Sequence, residues 1–215
     1  PAPCLSMRSN RCIGCGRCVE ACPNHAVALV DGHAAADPLL CRLSLECARV
    51  CPADAREIVG REVTGDEVMA EIRKDIPFYD ESGGGVTFSG GEPLMQPIFL
   101  LHLLDACGNQ EIHRAVDTSG YAAREVLLEV AAKTDLFLYD LKHMDPIIHR
   151  NYTGAGNDVI LDNLKSLEDT GAEVWVRFPV IPGVNDDRLN VERTGAFLET
   201  LTRVRKVDLL PYHDV

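Results

Sequence analysis

The chain has 215 residues, 46% of them apolar, and a formal net charge of -12, which suits one substantial core or a small module beside a larger one. Its 21 basic residues are scattered among 33 acidic ones, so no Lys/Arg stripe offers a nucleic-acid face. No apolar run of about 18 residues, secretory signal or lipidation motif points to a membrane, and a soluble, reducing, cytoplasmic setting is expected.

Residues 1 to about 60 form a cysteine-rich segment that holds eight of the nine cysteines. In a chain without an export signal such crowding favours ligands over disulfides. The run CIGCGRCVEACP places Cys12, Cys15, Cys18 and Cys22-Pro23 on C-x2-C-x2-C-x3-C-P, the ferredoxin pattern in which three thiolates hold one 4Fe-4S cluster and the fourth reaches a second. Zinc sites favour two separated pairs instead. The run CRLSLECARVCP sets Cys41, Cys47 and Cys51-Pro52 on the same template, with Ser44 where a cysteine is expected. By the crossover rule one cluster uses Cys12, Cys15, Cys18 and Cys51, and the other uses Cys41, Cys47 and Cys22 with Ser44 at its fourth corner. A serine hydroxyl is far less acidic than a thiol, so the second site reads as a 3Fe-4S cluster, a cluster open to an external ligand, or no cluster. A damaged or labile second site is the favoured expectation. Cys4 has no place on either template. Cys107, on an apolar helical pattern, is expected in the core.

A boundary near Gly60 separates this ferredoxin-like domain, residues 1–60, from an α/β domain, residues 61–215. Its first helix opens at Thr64, whose T-x-x-E relation to Glu67 is a capping box; Val68, Ile72 and Ile76 share a face, and Pro77 should stop it. Strands are then predicted at 85–88, 113–116, 136–141, 173–180 and 207–210, separated by helices from Pro97 to about Gly108, at 124–133, at 158–168 with Gly171 as the stop, and at 187–202. Alternating strand and helix imply a parallel sheet with helices outside. A closed eight-fold barrel needs about 250 residues, so five strands indicate a partial barrel or an open sheet. The chain starts at Pro1 without an initiator Met and stops at Val215 just after a strand-like run, which reads as a fragment.

Ligands of parallel α/β folds sit where the strands end. Five consecutive strands deliver polar groups there: Ser89-Gly90-Gly91-Glu92, Asp117-Thr118-Ser119-Gly120, Asp140 with Lys142, Arg177 before Pro179, and Tyr212-His213. A carboxylate inside FLYDLK carries a desolvation cost that loop solvation does not explain. The glycines of GGGVTFSGGEP suit a backbone that a ligand approaches closely.

The ordered set SGGGVTFSGGEPL, DTSGY, YDLKHMD, NYTG, ILDNLKSL, VWVRFPVIPGVND and LLPYH resembles the activating enzymes of glycyl radical enzymes, a branch of the radical S-adenosylmethionine superfamily, over almost the whole chain, including the ferredoxin-like insertion. The resemblance implies a partial (β/α)6 barrel, here lacking its first strand. It implies reductive cleavage of S-adenosylmethionine, with the 5'-deoxyadenosyl radical taking a hydrogen from a glycine of a partner glycyl radical enzyme and reduced flavodoxin or ferredoxin as donor. It also implies that Gly90, Gly91 and Glu92 meet the methionine amino group while Asp117, Thr118, Asp140, Lys142 and His213 line the rest of the cofactor site. Arg177 reads either as part of that site or as an ion pair within the barrel. The family's catalytic C-x3-C-x2-C triplet does not occur in residues 1–215; the expectation is that the triplet, with the first strand, lies upstream. Two other readings are an electron-transfer protein binding a flavin or dinucleotide, whose G-x-G-x-x-G turn is missing, and a radical S-adenosylmethionine enzyme acting on a small molecule.

Overall fold

A computed structural model describes residues 4–212, which fall into two compact units, Pro1–Val63 and Thr64–Val215. The first contains β1 (Cys4–Met7), α1 (Arg17–Glu20), β2 (Val27–Val30), β3 (His33–Ala36), α2 (Glu46–Arg49) and β4 (Arg56–Val59). Strand β1 pairs antiparallel with β4, and β2 with β3. Its two halves are built alike. Gly14 and Gly16, on either side of Cys15, adopt φ of 66° and 77°, and Leu43 and Leu45, on either side of Ser44, adopt 53° and 63°. His25 and Asp54, just beyond the two Cys-Pro pairs, match again at 49° and 47°. Left-handed backbone costs a non-glycine residue about 1–2 kcal/mol. The second half therefore tolerates strain at two leucines and keeps, around Ser44, the turn that surrounds Cys15 in the first. The small core of this unit is Cys18, Cys22, Ala26, Val27, Ala34 and Cys47.

The second unit opens with α3 (Gly65–Ile72), capped by Thr64 and Glu67 in the expected box. Pro77 does not stop that helix, which ends at Ile72; it sits in the first turn of a further helix, α4 (Ile76–Ser82), where its missing N–H would have had no partner anyway. There follow β5 (Gly85–Phe88), α5 (Pro97–Gly108), β6 (His113–Thr118), α6 (Arg124–Ala131), β7 (Leu136–Asp140), α7 (Pro146–Thr153), α8 (Asp158–Ser166), β8 (Glu173–Val180), α9 (Arg188–Leu198) and β9 (Val204–Pro211). Strands β5 to β9 form one parallel sheet in sequence order, an open sheet of the partial-barrel kind.

Side-chain alternation along the strands gives the sheet two unlike faces. One buries Val116, Phe137, Tyr139, Val174, Val176 and Phe178 in a core shared with Leu104, Cys107, Leu127, Val130 and Leu164 of the helices. The other carries Asp117, Leu138, Asp140, Trp175, Arg177 and Asp208, all only partly buried. Trp175 receives Lys206 over its ring at 4.5 Å on that face.

Buried asparagines pin the loops that follow the strands. Asn163 Nδ2 donates to the carbonyls of Gly120 and Ala122 at 2.8 and 2.9 Å. Asn157 Nδ2 donates to His143 and Met144, and Asn185 Nδ2 to Lys142 and Pro179. Asn190 takes the Met144 N–H. Beneath the loop after β6, Tyr139 Oη donates to the Ile160 carbonyl at 2.7 Å.

Gly120 closes over that hydroxyl with φ of 73°, and a Cβ there would stand 1.7 Å from Tyr139 Oη. Gly120→Ala should lower unfolding free energy by about 3 kcal/mol through overpacking and left-handed strain; an unchanged urea midpoint would contradict this packing. At the opposite end of β6, Asp135 accepts from Arg114 N, Nε and Nη2 at 2.8–2.9 Å, and these hydrogen bonds hold its carboxyl below the usual carboxylate range. Because the folded value is depressed, the stabilisation is complete above the unfolded value of about 3.9 and is lost as pH falls through the folded one. Asp135→Asn should thus lower the urea midpoint at pH 7, with the gap to wild type narrowing on acidification.

Candidate functional site

Where the sheet ends, one ion network joins four strands. Arg177, on β8, donates Nε to Asp140 Oδ1 of β7 at 2.9 Å, and its Nη2 pairs with both Asp140 and Asp117 of β6. Ser89, just past β5, donates to Asp117 Oδ2 at 2.9 Å, and Lys142, just past β7, donates to Asp140 Oδ2 at 3.1 Å. The register that sets Asp140 opposite Arg177 builds this contact. Two carboxylates and two cations balance, which makes four charges tolerable at a partly buried rim. Burial alone would weaken the Arg177 charge, but Asp140 and Asp117 overcome it and hold the guanidinium firmly protonated.

Glu92 has a second task. Its carboxylate accepts from Leu94 N, Thr118 Oγ1, Ser119 N and Ser119 Oγ. Four hydrogen bonds fill its acceptor positions and lock the loop after β5 to the loop after β6. Between them Gly90 takes φ of 128°, and a Cβ on Gly90 or Gly91 would have nothing within 4 Å. The turn thus presents bare backbone to open space. His213 lies outside the described residues.

Beside Lys142, a cavity of about 270 Å³ is lined by His143, Tyr152, Pro179, Ile181 and Asn185 among others. His143 is buried; its Nδ1 accepts from Asp145 N at 2.9 Å, so Nε2 carries the proton, and it has no partner among the described residues. Helix α7, which supplies Tyr152, escaped the sequence reading. Its signals were present: Asp145 as N-cap, Pro146 in the first turn and Gly154 at the stop.

In the first unit, one hollow is lined by Cys12, Cys15, Cys18 and Cys51, and another by Cys22, Cys41, Cys47 and Ser44. These are the two sets that the crossover rule assigns. Among the described residues no group of three His, Cys, Asp or Glu side chains is placed to hold a single metal ion. Backbone donors prepare the sulfurs, with Ala26 N 3.3 Å from Cys22 Sγ and Ala34 N 3.4 Å from Cys12 Sγ. The Ala34 contact leads the effects that draw the Cys12 thiol down. Burial pushes Cys18 up, and the charge of Arg56 is the largest pull against it. The donor set and these donors fit iron-sulfur clusters. Arg56, on the rim of both hollows, was not singled out by sequence reasoning.

Residues 47–192 match the radical SAM superfamily model and residues 11–55 a 4Fe-4S dicluster domain. The chain is 42% identical to the trans-4-hydroxy-L-proline dehydratase activating enzyme of Clostridioides difficile, over 95% of this chain and 68% of that one. It is 40% identical to the choline trimethylamine-lyase activating enzyme of Oleidesulfovibrio alaskensis, over 96% and 68%. A solved domain of a pyruvate-formate lyase-activating enzyme from Bacteroides vulgatus superposes with a TM-score of 0.58 at 44% identity, covering 61% of this chain and 82% of that one. A dicluster module ahead of a parallel sheet with this charged rim, together with identity of this extent, establishes that the chain belongs to the radical SAM superfamily and, within it, to the activating enzymes of glycyl radical enzymes.

Proposed function

We propose that this protein reductively cleaves S-adenosylmethionine and uses the product to take a hydrogen from a glycine of a partner glycyl radical enzyme, leaving that partner active. The observation that carries the reading is the neutral ion network at the sheet's C-terminal rim beside a bare glycine turn. A zwitterionic, sulfonium-bearing substrate needs a rim with both signs of charge and room at the backbone. Gly90 and Gly91 offer carbonyls to the methionine ammonium; Glu92 acts on the same group by holding their turn in place. Lys142, the most exposed of the four charged groups at 40% side-chain accessibility, pairs with the methionine carboxylate. Asp117 and Asp140 line the remaining wall and Arg177 positions both; Thr118, expected there, is buried with its hydroxyl donated to Glu92 and so acts behind the wall, and a cofactor contact by His213 belongs to the same proposal. Iron-sulfur clusters held by Cys12, Cys15, Cys18 and Cys51, and by Cys22, Cys41 and Cys47, supply electron storage. A reduced flavodoxin or ferredoxin as donor and a cytoplasmic setting belong to the same proposal. No helix of the described residues is long and apolar enough to cross a membrane.

Anaerobic reconstitution of the protein in its complete natural length, followed by reduction with dithionite, should convert S-adenosylmethionine to methionine and 5'-deoxyadenosine; no cleavage by fully iron-loaded protein would refute the activity. Lys142→Met should raise the KM for S-adenosylmethionine at least tenfold, about 1.4 kcal/mol, without changing iron content, and an unchanged KM would remove Lys142 from the site. Ser44→Cys should raise the iron content and convert the electron paramagnetic resonance signal of the cluster held by Cys22, Cys41 and Cys47 from 3Fe-4S to 4Fe-4S type; if neither changes, the assignment of Ser44 as a missing ligand is wrong.

A further inference from the structure

Arg56 opens β4 and is 3% exposed. Its Nη1 lies 3.7 Å from Cys47 Sγ, whereas Nε and Nη2 are buried without a hydrogen-bond partner, and no carboxylate pairs with it among the described residues. A sealed, unpaired guanidinium is among the least favourable groups a small module can contain. The internal repeat sharpens the anomaly. Under the offset that carries Cys12 to Cys41 and Cys22 to Cys51, the counterpart of Arg56 is Val27, the first residue of β2, also buried. The fold therefore accepts an apolar residue at this position. Arg56 also lines both cysteine-ringed hollows, whereas Val27 lines only the one containing Ser44.

A cube ligated by thiolates is net negative, and becomes more so by one charge on reduction; hydrogen bonds to its sulfurs and nearby charge set its potential. We propose that Arg56 is the shared counter-ion of the two auxiliary clusters, donating Nη1 to the Cys47 sulfur of one and its remaining N–H groups to sulfur of the other, so that it raises the reduction potential of both. The inference rests on the two-cluster reading of this module. It explains why a cation replaces the valine of the other half: one guanidinium serves both hollows, so a second is not needed.

The test uses anaerobically reconstituted protein, wild type, Arg56→Gln and Arg56→Lys, with iron counted before each potential is measured. In redox titrations followed by electron paramagnetic resonance, Arg56→Gln should shift the reduction equilibrium of both auxiliary clusters at least tenfold toward the oxidised form, 59 mV for a one-electron couple, and Arg56→Lys should recover most of that shift. Full iron with one or both potentials unmoved overturns the shared role of Arg56 and leaves the two-cluster reading standing. Iron sufficient for only one auxiliary cluster in the wild type overturns that reading and the inference with it. If Arg56→Gln takes up no iron, wild type labelled with 15N-arginine decides. Pulsed resonance should show nitrogen coupling to both reduced clusters that disappears in Arg56→Lys, and its absence on either cluster overturns the proposal.

Discussion

A guanidinium held between two carboxylates is the constraint on which the site depends. Arg177 stands on the polar face of the sheet, level with Asp140 and within reach of Asp117. Removing it would leave two carboxylates facing one another at a half-buried rim, with Lys142 and Ser89 as their remaining side-chain partners among the described residues. Like charges so placed repel strongly when water is scarce. With Arg177 present the rim is electrically balanced and its side chains are fixed by hydrogen bonds rather than by solvent. Such a rim can exchange an internal ion pair for one with a substrate at little net cost, as Lys142 is placed to do.

The loops are held to the same standard of order. Glu92 ties two of them together, while Asn157 at the N-cap of α8, Asn163 within α8 and Asn185 in the turn after β8 bind loop carbonyls. Each asparagine satisfies backbone groups that a buried loop would otherwise leave unpaired. The result is a preorganised edge, in which binding need not bear the entropy of ordering the loops. The cysteine module follows a different rule, that of duplication with two exceptions. Its halves share backbone turns down to the left-handed residues, yet Ser44 replaces a thiol and Arg56 replaces a valine. Both departures fall on the hollow that contains Cys22, Cys41 and Cys47.

Much of this was legible in the residues. Strong period-two and period-3.6 patterns located β5 to β8 and the helices α3, α5, α6, α8 and α9, because those segments bury one face, whereas β9, with no buried residue, was found by its apolar run. Helix α7 was missed because its buried face is short, His149 being its only fully buried residue, so its caps were the better signal. Pro77 misled because proline stops one helix and starts another with equal ease. The polar strand ends were visible, but their pairing was not. That Arg177 meets Asp117 and Asp140 depends on cross-strand register, which a linear pattern does not encode. The clamping of Glu92 and the burial of Arg56 were likewise hidden, since both arise from contacts between distant segments.

We propose that Arg177, by neutralising Asp117 and Asp140, sets the rim to receive S-adenosylmethionine. Equilibrium dialysis of S-adenosylmethionine against iron-loaded protein carrying Arg177→Met tests it most directly, with circular dichroism to confirm the fold. The account requires a folded variant that has lost binding by at least tenfold; a folded variant that binds as tightly as wild type would contradict it.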